Sequence, residues 1–449
     1  MARRAFLSSR LVTPDGIVPG CVLVEDGRIQ SVERAGVAPP GYEVLEFGDD
    51  CILPGLVDTH VHINDPGRSE WEGFWTATRA AAAGGITTVV DMPLNCLPGT
   101  NSVEALWRKR EAAAGNAWVD WMTWGGVVDD NADQIEPLVK AGVPGFKCFL
   151  VPPGVDGFTM VDEAQLRRAL PSIARAKVPL LVHAELSPPI DAATANLEAC
   201  DWSSYSTYLR SRPDESELDA IALMIDLCRE YGVHIHIVHL SSADALELLR
   251  QARVEGLPIS AETCPHYLYF SAEGIPGGAT LLKCAPPIRS AGNRERLWQG
   301  LRNGLIDLVA SDHSPCLPAM KKLDEGSFRS AWGGIASLSL GLSAMWARAS
   351  SRDFSLCDVV QWMAQATASL AGIGDRKGKL AEGYDADLVI FDPDSVWKVT
   401  SDRLYFKHSV SAYVGELLRG VVKATFLRGS QVYADGAFAV CPLGMELCQ

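Results

Sequence analysis

Gly55-Leu56-Val57-Asp58-Thr59-His60-Val61-His62 begins as an apolar run and ends on two histidines spaced by two. Period 2 puts both imidazoles on one side of an extended chain, where they can share one metal ion; a pair of turn histidines is the plain alternative. The same pattern, apolar residues first and a polar residue last, returns along the chain. The further runs are 86–91, 119–124, 145–150, 179–183, 233–239, 259–262 and 307–312. Helix-like stretches lie between them, most clearly 71–83 and 216–231. Alternation of strand and helix predicts a parallel sheet, and eight such units match an α/β fold of the (β/α)8 TIM-barrel type. In a parallel barrel the C-terminal strand ends form the active face. His60, His62, His183, His239 and Asp312 therefore converge there, although they are scattered over 250 residues of sequence.

Both ends of the chain read differently. Residues 20–29 form a hairpin pattern around Asp26-Gly27, and residues 385–392 and 424–429 read as further strands. These predict a small β-sandwich built from residues 1–53 and 381–449, flanking a barrel over 54–380. The 449-residue chain carries a formal net charge of −15 and has a sequence pI near 5.1. That balance argues against nucleic acid or an anionic membrane as partner. The start, Met1 to Arg10, is basic but has no sustained apolar core, so neither a signal peptide nor a membrane span is expected. Twelve cysteines without a C-x-x-C pair fit reduced, buried thiols in a cytoplasmic protein.

Three candidates need individual weighing. His234-Ile235-His236-Ile237-Val238-His239 offers three imidazoles; terminal position favours His239 as a ligand facing the barrel mouth, leaving His234 and His236 as structural groups or polar groups beneath the surrounding helices. Lys147 lies in the apolar strand Gly145-Phe146-Lys147-Cys148-Phe149-Leu150. An unpaired buried ammonium is costly. Either a carboxylate pairs with it, or its amine has taken up carbon dioxide, giving an anionic oxygen donor able to bridge two cations. The residues leave both readings open. Asp312 ends a strand before His313-Ser314-Pro315; it can ligate metal and shuttle a proton, or cap the next segment.

The order of these pieces resembles the amidohydrolase superfamily, in the cyclic-amide branch that holds dihydroorotases, hydantoinases and allantoinases. Pro54 to His62 resembles the first-strand motif, Ala81-Ala82-Ala83-Gly84-Gly85-Ile86-Thr87-Thr88-Val89-Val90-Asp91-Met92-Pro93 the second, and Val309 to Pro315 the last; the likeness covers nearly the whole chain. It implies two divalent metal ions, one on His60 and His62 and the other on His183 and His239, with carboxylated Lys147 bridging them. It makes Asp312 a ligand of the first ion and the proton shuttle for a bridging hydroxide. Zinc is the usual ion, with cobalt, manganese, nickel or iron also suited to such donors. A homotetramer is the assembly it implies.

Within the branch, the loops favour one ring. Asn64 stands where dihydroorotases carry an arginine for a substrate carboxylate, and Pro152 where hydantoinases carry a tyrosine. By contrast, residues 64–74, Lys147-Cys148-Phe149, Lys283-Cys284-Ala285-Pro286-Pro287-Ile288-Arg289, Pro315-Cys316 and Trp332-Gly333-Gly334-Ile335 resemble the allantoinase family. The resemblance implies hydrolysis of allantoin, a small neutral cyclic amide, to allantoate in purine (ureide) catabolism. Asn95, Cys284, Gly333 and Gly334 are the substrate contacts it suggests. His266 is read as structural or as orienting a ligand, and Cys148, Cys284 and Cys316 as possible pocket walls without a nucleophilic role. The alternatives are a hydantoinase or dihydropyrimidinase, and a non-catalytic relative serving as a binding protein; the latter class loses metal ligands, whereas all six positions are filled here.

Overall fold

The structure, a computed structural model, describes residues 3–34 and 37–448. The first two residues of the basic start lie outside it. Five strands open the chain: β1 (Arg3–Thr13), β2 (Gly16–Glu25), β3 (Arg28–Glu33), β4 (Glu43–Glu46) and β5 (Cys51–Pro54). The barrel follows, with β6 (Leu56–Val61), β7 (Ile86–Asp91), β8 (Asp120–Thr123), β9 (Gly125–Gly126), β10 (Phe146–Phe149), β11 (Leu180–His183), β12 (Ile235–Ile237), β13 (Ile259–Thr263) and β14 (Leu308–Val309). The chain ends in β15 (Leu388–Lys398), β16 (Leu417–Leu427), β17 (Ser430–Ala434) and β18 (Ala437–Phe438).

Strands β6, β7 and β8 pair in parallel, and β9 through β14 form a second parallel run. The segments β8 and β9 are one strand interrupted at Trp124, so eight strands make the barrel. It closes where Val61 bridges His313 in parallel. Asp58 reinforces that seam: its Oδ1 accepts from the backbone N–H of both His60 and Ser311, each at 3.1 Å. One buried carboxylate thus ties the strand carrying His60 to the one leading to Asp312.

Alternation sorts the side chains. Phe146, Cys148, Leu180, Val182, Ile235 and Ile237 belong to the large core between strands and helices. Val57, Val90, Met122, Trp124, Leu181 and Leu308 form a second core inside the barrel. Helix Asp214–Tyr231 shows how the outer layer is held: three acidic residues fill its first turn, Gly232 at φ 64 ends it, and Ala220, Ile221, Met224 and Cys228 are buried.

Strands β1–β5 and β15–β18 form one nine-stranded sheet, joined where β5 pairs antiparallel with β15. The sheet wraps over a core that includes Phe6, Val22, Ile52, Leu388 and Phe426. Asp26 and Gly27, both at positive φ, make the hairpin between β2 and β3. A buried ion cluster fastens sheet to barrel: Lys377 Nζ donates to Asp120 of β8 and to Asp387, each at 2.7 Å, and lies 3.0 Å from Asp385. Lys377, Asp120, Asp385 and Asp387 are all buried; Arg376 also pairs Asp385 and Arg428 also pairs Asp120, so removing the lysine would leave Asp387 with no cationic side chain against it. Among the described residues no helix is long and apolar enough to cross a membrane.

Candidate active site

His60, His62 and Asp312 meet at the C-terminal end of the barrel. Asp312 Oδ1 lies 3.3 Å from His60 Nε2 and 3.5 Å from His62 Nε2. Their donor atoms could surround one ion. His183, the last residue of β11, packs against His239 with ring centroids 4.6 Å apart, and His239 lies 5.4 Å from His60 by the same measure. Two of these groups reach the centre through left-handed backbone: His239 has φ 38 and Asp312 φ 45. Such conformations are strained for residues with a side chain and recur at functional sites.

Lys147 points inward from β10, between outward-facing Phe146 and Cys148. It is fully buried and its Nζ has no hydrogen-bond partner among the described residues. Burial pushes its pKa down to about 8, against the opposing pull of Glu262 and Asp312. About a tenth of the amine is therefore neutral at pH 7, far more than for an ordinary lysine, and the neutral form is the one that can react with carbon dioxide. His239 Nδ1 is a second buried atom without a partner. An orphaned amine, an orphaned imidazole nitrogen, three further histidines and an ionised aspartate are the donors that one or two divalent cations need. The residues present fit such ions.

Behind the ligands stand carboxylates that sequence reading left without a role. Glu262, at the end of the apolar run of β13, accepts from His60 Nδ1 and, at 3.1 Å, from His236 Nε2. Burial alone would raise its carboxyl, but His60 and His236 outweigh this and hold it at about 2. Glu185 accepts from His183 Nε2 at 2.8 Å and is gripped by Arg212 at 3.0 and 2.6 Å. Burial likewise opposes ionisation of Glu185, and Arg212 with His183 again brings it to about 2. Such partners fix the tautomer and ring orientation of a ligand histidine. Burial pushes the His183 imidazole down to about 4, so it is neutral near pH 7. For Asp312 burial is opposed by His60, His62 and His239, which hold it well below the usual carboxylate range.

The expected place of His236 is corrected. Ile235 and Ile237 face the helices, so His236 between them points into the barrel, where Glu262 and Ser260 hold it; Ser260 also meets His234. The strand ends at Ile237, and the left-handed turn at His239 breaks the parity that would have placed it with the isoleucines.

The centre opens into a cleft of about 410 Å³ lined by His60, His62, His183, His239, Asp312, Asn95, Pro152, Gly333 and Gly334, among others. Asn64 lies buried beside the first strand, with its Nδ2 donating to Pro315 O at 3.2 Å. Asn95 is hydrogen-bonded to His62 Nδ1 at 3.2 Å, so its amide is already engaged in orienting that imidazole. The two glycines differ. Gly334 sits at φ 135; its N–H donates to Lys283 O at 2.8 Å and its carbonyl accepts from buried Lys321. Among the described residues, nothing pairs with the N–H or the C=O of Gly333. It therefore presents one donor and one acceptor to the cleft. The Cys284 carbonyl accepts from Tyr208 Oη at 2.6 Å and is engaged. None of Cys148, Cys284 and Cys316 lines the cleft: Cys148 faces the helices, and the other two are buried behind the loops. Glu185, Glu262 and Arg212 were the groups sequence reading missed. The only hint was local, in that Glu185 follows His183 by two and Glu262 ends an apolar run.

Residues 51–432 match the Amidohydrolase family. The chain is 47% identical over 432 residues to the allantoinase of Streptomyces avermitilis, covering 96% of this chain and 95% of that one. It is 45% identical over 436 residues to the allantoinase of Saccharomyces cerevisiae, covering 96% and 92%. Its fold superimposes on the L-hydantoinase (dihydropyrimidinase) of Arthrobacter aurescens with a TM-score of 0.94 at 31% identity over 100% of both chains. The histidines and aspartate gathered at the barrel mouth, the family match over most of the chain and relatives matched nearly end to end lead to one placement: the chain belongs to the amidohydrolase family, alongside its allantoinases.

Proposed function

We propose that the protein hydrolyses the ring amide of allantoin to allantoate, a metal-dependent step of purine (ureide) catabolism. The observation that carries the substrate is that the relatives matched end to end at 47% and 45% identity are allantoinases, whereas the hydantoinase overlay stands at 31%. In this reading His60, His62 and Asp312 would hold one divalent ion, His183 and His239 would hold a second, and Lys147, once carboxylated, would supply anionic oxygen to both. Zinc suits these donors, as do cobalt, manganese, nickel and iron. When bound, such ions lower the pKa of water and polarise a carbonyl.

The protein's own groups do the rest. Asp312, kept ionised by its three histidine neighbours, accepts a proton from the attacking water. The water oxygen bonds to the amide carbon, the ring carbon–nitrogen bond breaks, and Asp312 returns the proton to the departing nitrogen. The Ser314 hydroxyl donates to Asp312 Oδ1 at 2.7 Å and steadies the carboxylate through this exchange. Gly333 offers the N–H and C=O that complement the –CO–NH– edge of a neutral ring. The reading includes a homotetramer in the cytoplasm. Twelve free cysteines, most of them buried, suit a reducing compartment.

The hydantoinase or dihydropyrimidinase reading is favoured by the structural overlay and opposed by Pro152, which brings no hydroxyl to the cleft wall. Steady-state hydrolysis of allantoin, hydantoin and dihydrouracil, with metal content measured on the same sample, separates the two. Allantoin turnover that is lost on chelation, returns with added divalent metal and exceeds the other two rates supports the proposal. Absence of allantoin turnover in protein carrying two ions per chain overturns the substrate and keeps the chemistry.

A further inference from the structure

The turn after β13 carries a cluster that the reaction does not use. Cys264 and His266 flank Pro265, and both side chains are fully buried. Neither ring nitrogen of His266 has a hydrogen-bond partner among the described residues. Leaving one buried polar atom unpaired costs about 1–3 kcal/mol, so an imidazole orphaned at both nitrogens calls for a ligand. The Cys264 thiol, a His266 nitrogen and an Asp312 carboxylate oxygen all lie within 4.8 Å of one another. Around a tetrahedral zinc-like ion, with metal–sulfur bonds of about 2.3 Å and metal–nitrogen bonds of about 2.0 Å, donor atoms stand roughly 3.3–3.8 Å apart. Small side-chain rotations close the difference.

This donor set is unlike the centre described above. The four ligand histidines and Lys147 offer nitrogen and oxygen, whereas Cys264 adds a soft sulfur, which selects for d10 cations. Only Asp312 belongs to both. It lines the cleft, so an ion arrives past it.

We propose that Cys264, His266 and Asp312 form an additional site for one thiophilic divalent cation, such as zinc in excess or cadmium, which competes with the main centre for Asp312. On binding, the Cys264 thiol releases its proton to solvent as the metal–sulfur bond forms, and neutral His266 donates a lone pair. Asp312 contributes a carboxylate oxygen. Occupancy draws that carboxylate away from proton transfer, so an excess of such an ion slows turnover without stripping the main centre. The inference does not require allantoin as substrate.

The test uses the full-length protein with its main centre loaded, titrated with cadmium(II) and followed by the ultraviolet thiolate-to-cadmium charge-transfer band and by bound cadmium per chain. The chain has eleven other cysteines, two of them exposed, so the decisive comparison is with Cys264→Ser and His266→Gln. The wild type should bind one more cadmium per chain than either variant. The part of the band that Cys264→Ser loses should saturate together with that ion. Turnover should fall over the same range in wild type and not in Cys264→Ser. Equal stoichiometry and equal band intensity in wild type and a folded variant overturn the proposal, as does a wild type with no band. If one variant fails to fold, the other decides. A protein without allantoin turnover that still shows the Cys264-dependent ion would sink the substrate reading alone.

Discussion

Arg212 holds Glu185, and Glu185 holds His183; breaking the outer pair tests the whole arrangement. Glu185 has a fully buried carboxylate, while the Arg212 side chain is 19% exposed along the cleft. Arg212→Met removes two hydrogen bonds and the countercharge, leaving a buried anion whose remaining side-chain partner is a histidine. Breaking a buried pair from one side costs about 3–5 kcal/mol. Glu185→Leu should cost less, about 2 kcal/mol, because Arg212 can turn toward water in the cleft. The double variant removes both charges and should be more stable than Arg212→Met alone. Urea unfolding of the metal-free chain, followed by tryptophan fluorescence, gives the four free energies. A pH arm adds a sign. The folded-state pKa of Glu185, about 2, lies below its ordinary 4.5. Its stabilisation is therefore fully present above pH 4.5 and lost as pH falls toward 2. The difference of roughly 2.5 units corresponds to about 3 kcal/mol. The stability gap between wild type and Glu185→Gln should stay level from pH 7 to 5 and shrink below 4.5. A coupling energy under about 0.5 kcal/mol in the cycle, or a gap that widens in acid, would refute the argument.

Lys147→Met should leave the metal-free protein as stable as wild type or more so, since it replaces an unpaired buried amine with an apolar side chain of similar length, while bound metal and turnover collapse; thermal unfolding in chelator and metal analysis read the two effects separately. Asp312→Asn should reduce kcat by about 10²–10⁴ with the fold intact, because the amide cannot take up the water proton; circular dichroism and initial rates check it. Gly334→Ala should destabilise by a few kcal/mol, as its φ is 135 and a Cβ there would meet Ser314 O at 2.5 Å. Gly333→Ala, whose Cβ would have no neighbour nearer than 3.9 Å, should leave the unfolding midpoint unchanged and raise KM.

The barrel and the residues gathered at its mouth were legible because their signals are local. His60-Val61-His62 carries period 2 in three residues, and Lys147 stands out as a cation inside an apolar strand. What supports them was not legible, for a physical reason. Glu185 and Glu262 read like any carboxylate near a strand end, and only burial tells a solvated acid from one that orients an imidazole. Burial is decided by distant chain: Arg212 lies 27 residues beyond Glu185, and Glu262 reaches His60 across 202 residues. Strand parity also failed at one point, since alternation predicts direction only while the chain stays extended, and His239 turns left-handed just past β12. The terminal sheet shows the same division. Its strands announced themselves, but the pairing of Ile52 with Ile390 spans the whole barrel and has no local sign.

Substrate contacts lie furthest from what a sequence can display. Gly333 and Gly334 are identical letters in one turn, yet the second is fixed by its φ and by Lys283 and Lys321, while the first is left with both backbone groups free. A backbone donor and acceptor carry no side-chain signature, and their availability depends on which neighbours consume the adjacent ones. Here Lys321 accepts that task for Trp332 and Gly334, binding both carbonyls from beneath the loop. On the proposed reading, a lysine that touches no substrate would help to set ring specificity in this cleft, through the carbonyls it removes from competition. Lys321→Met should consequently relax discrimination between allantoin and hydantoin, measured as the ratio of kcat/KM values, while metal content holds at the wild-type level; an unchanged ratio would mean that the loop keeps its shape without the lysine.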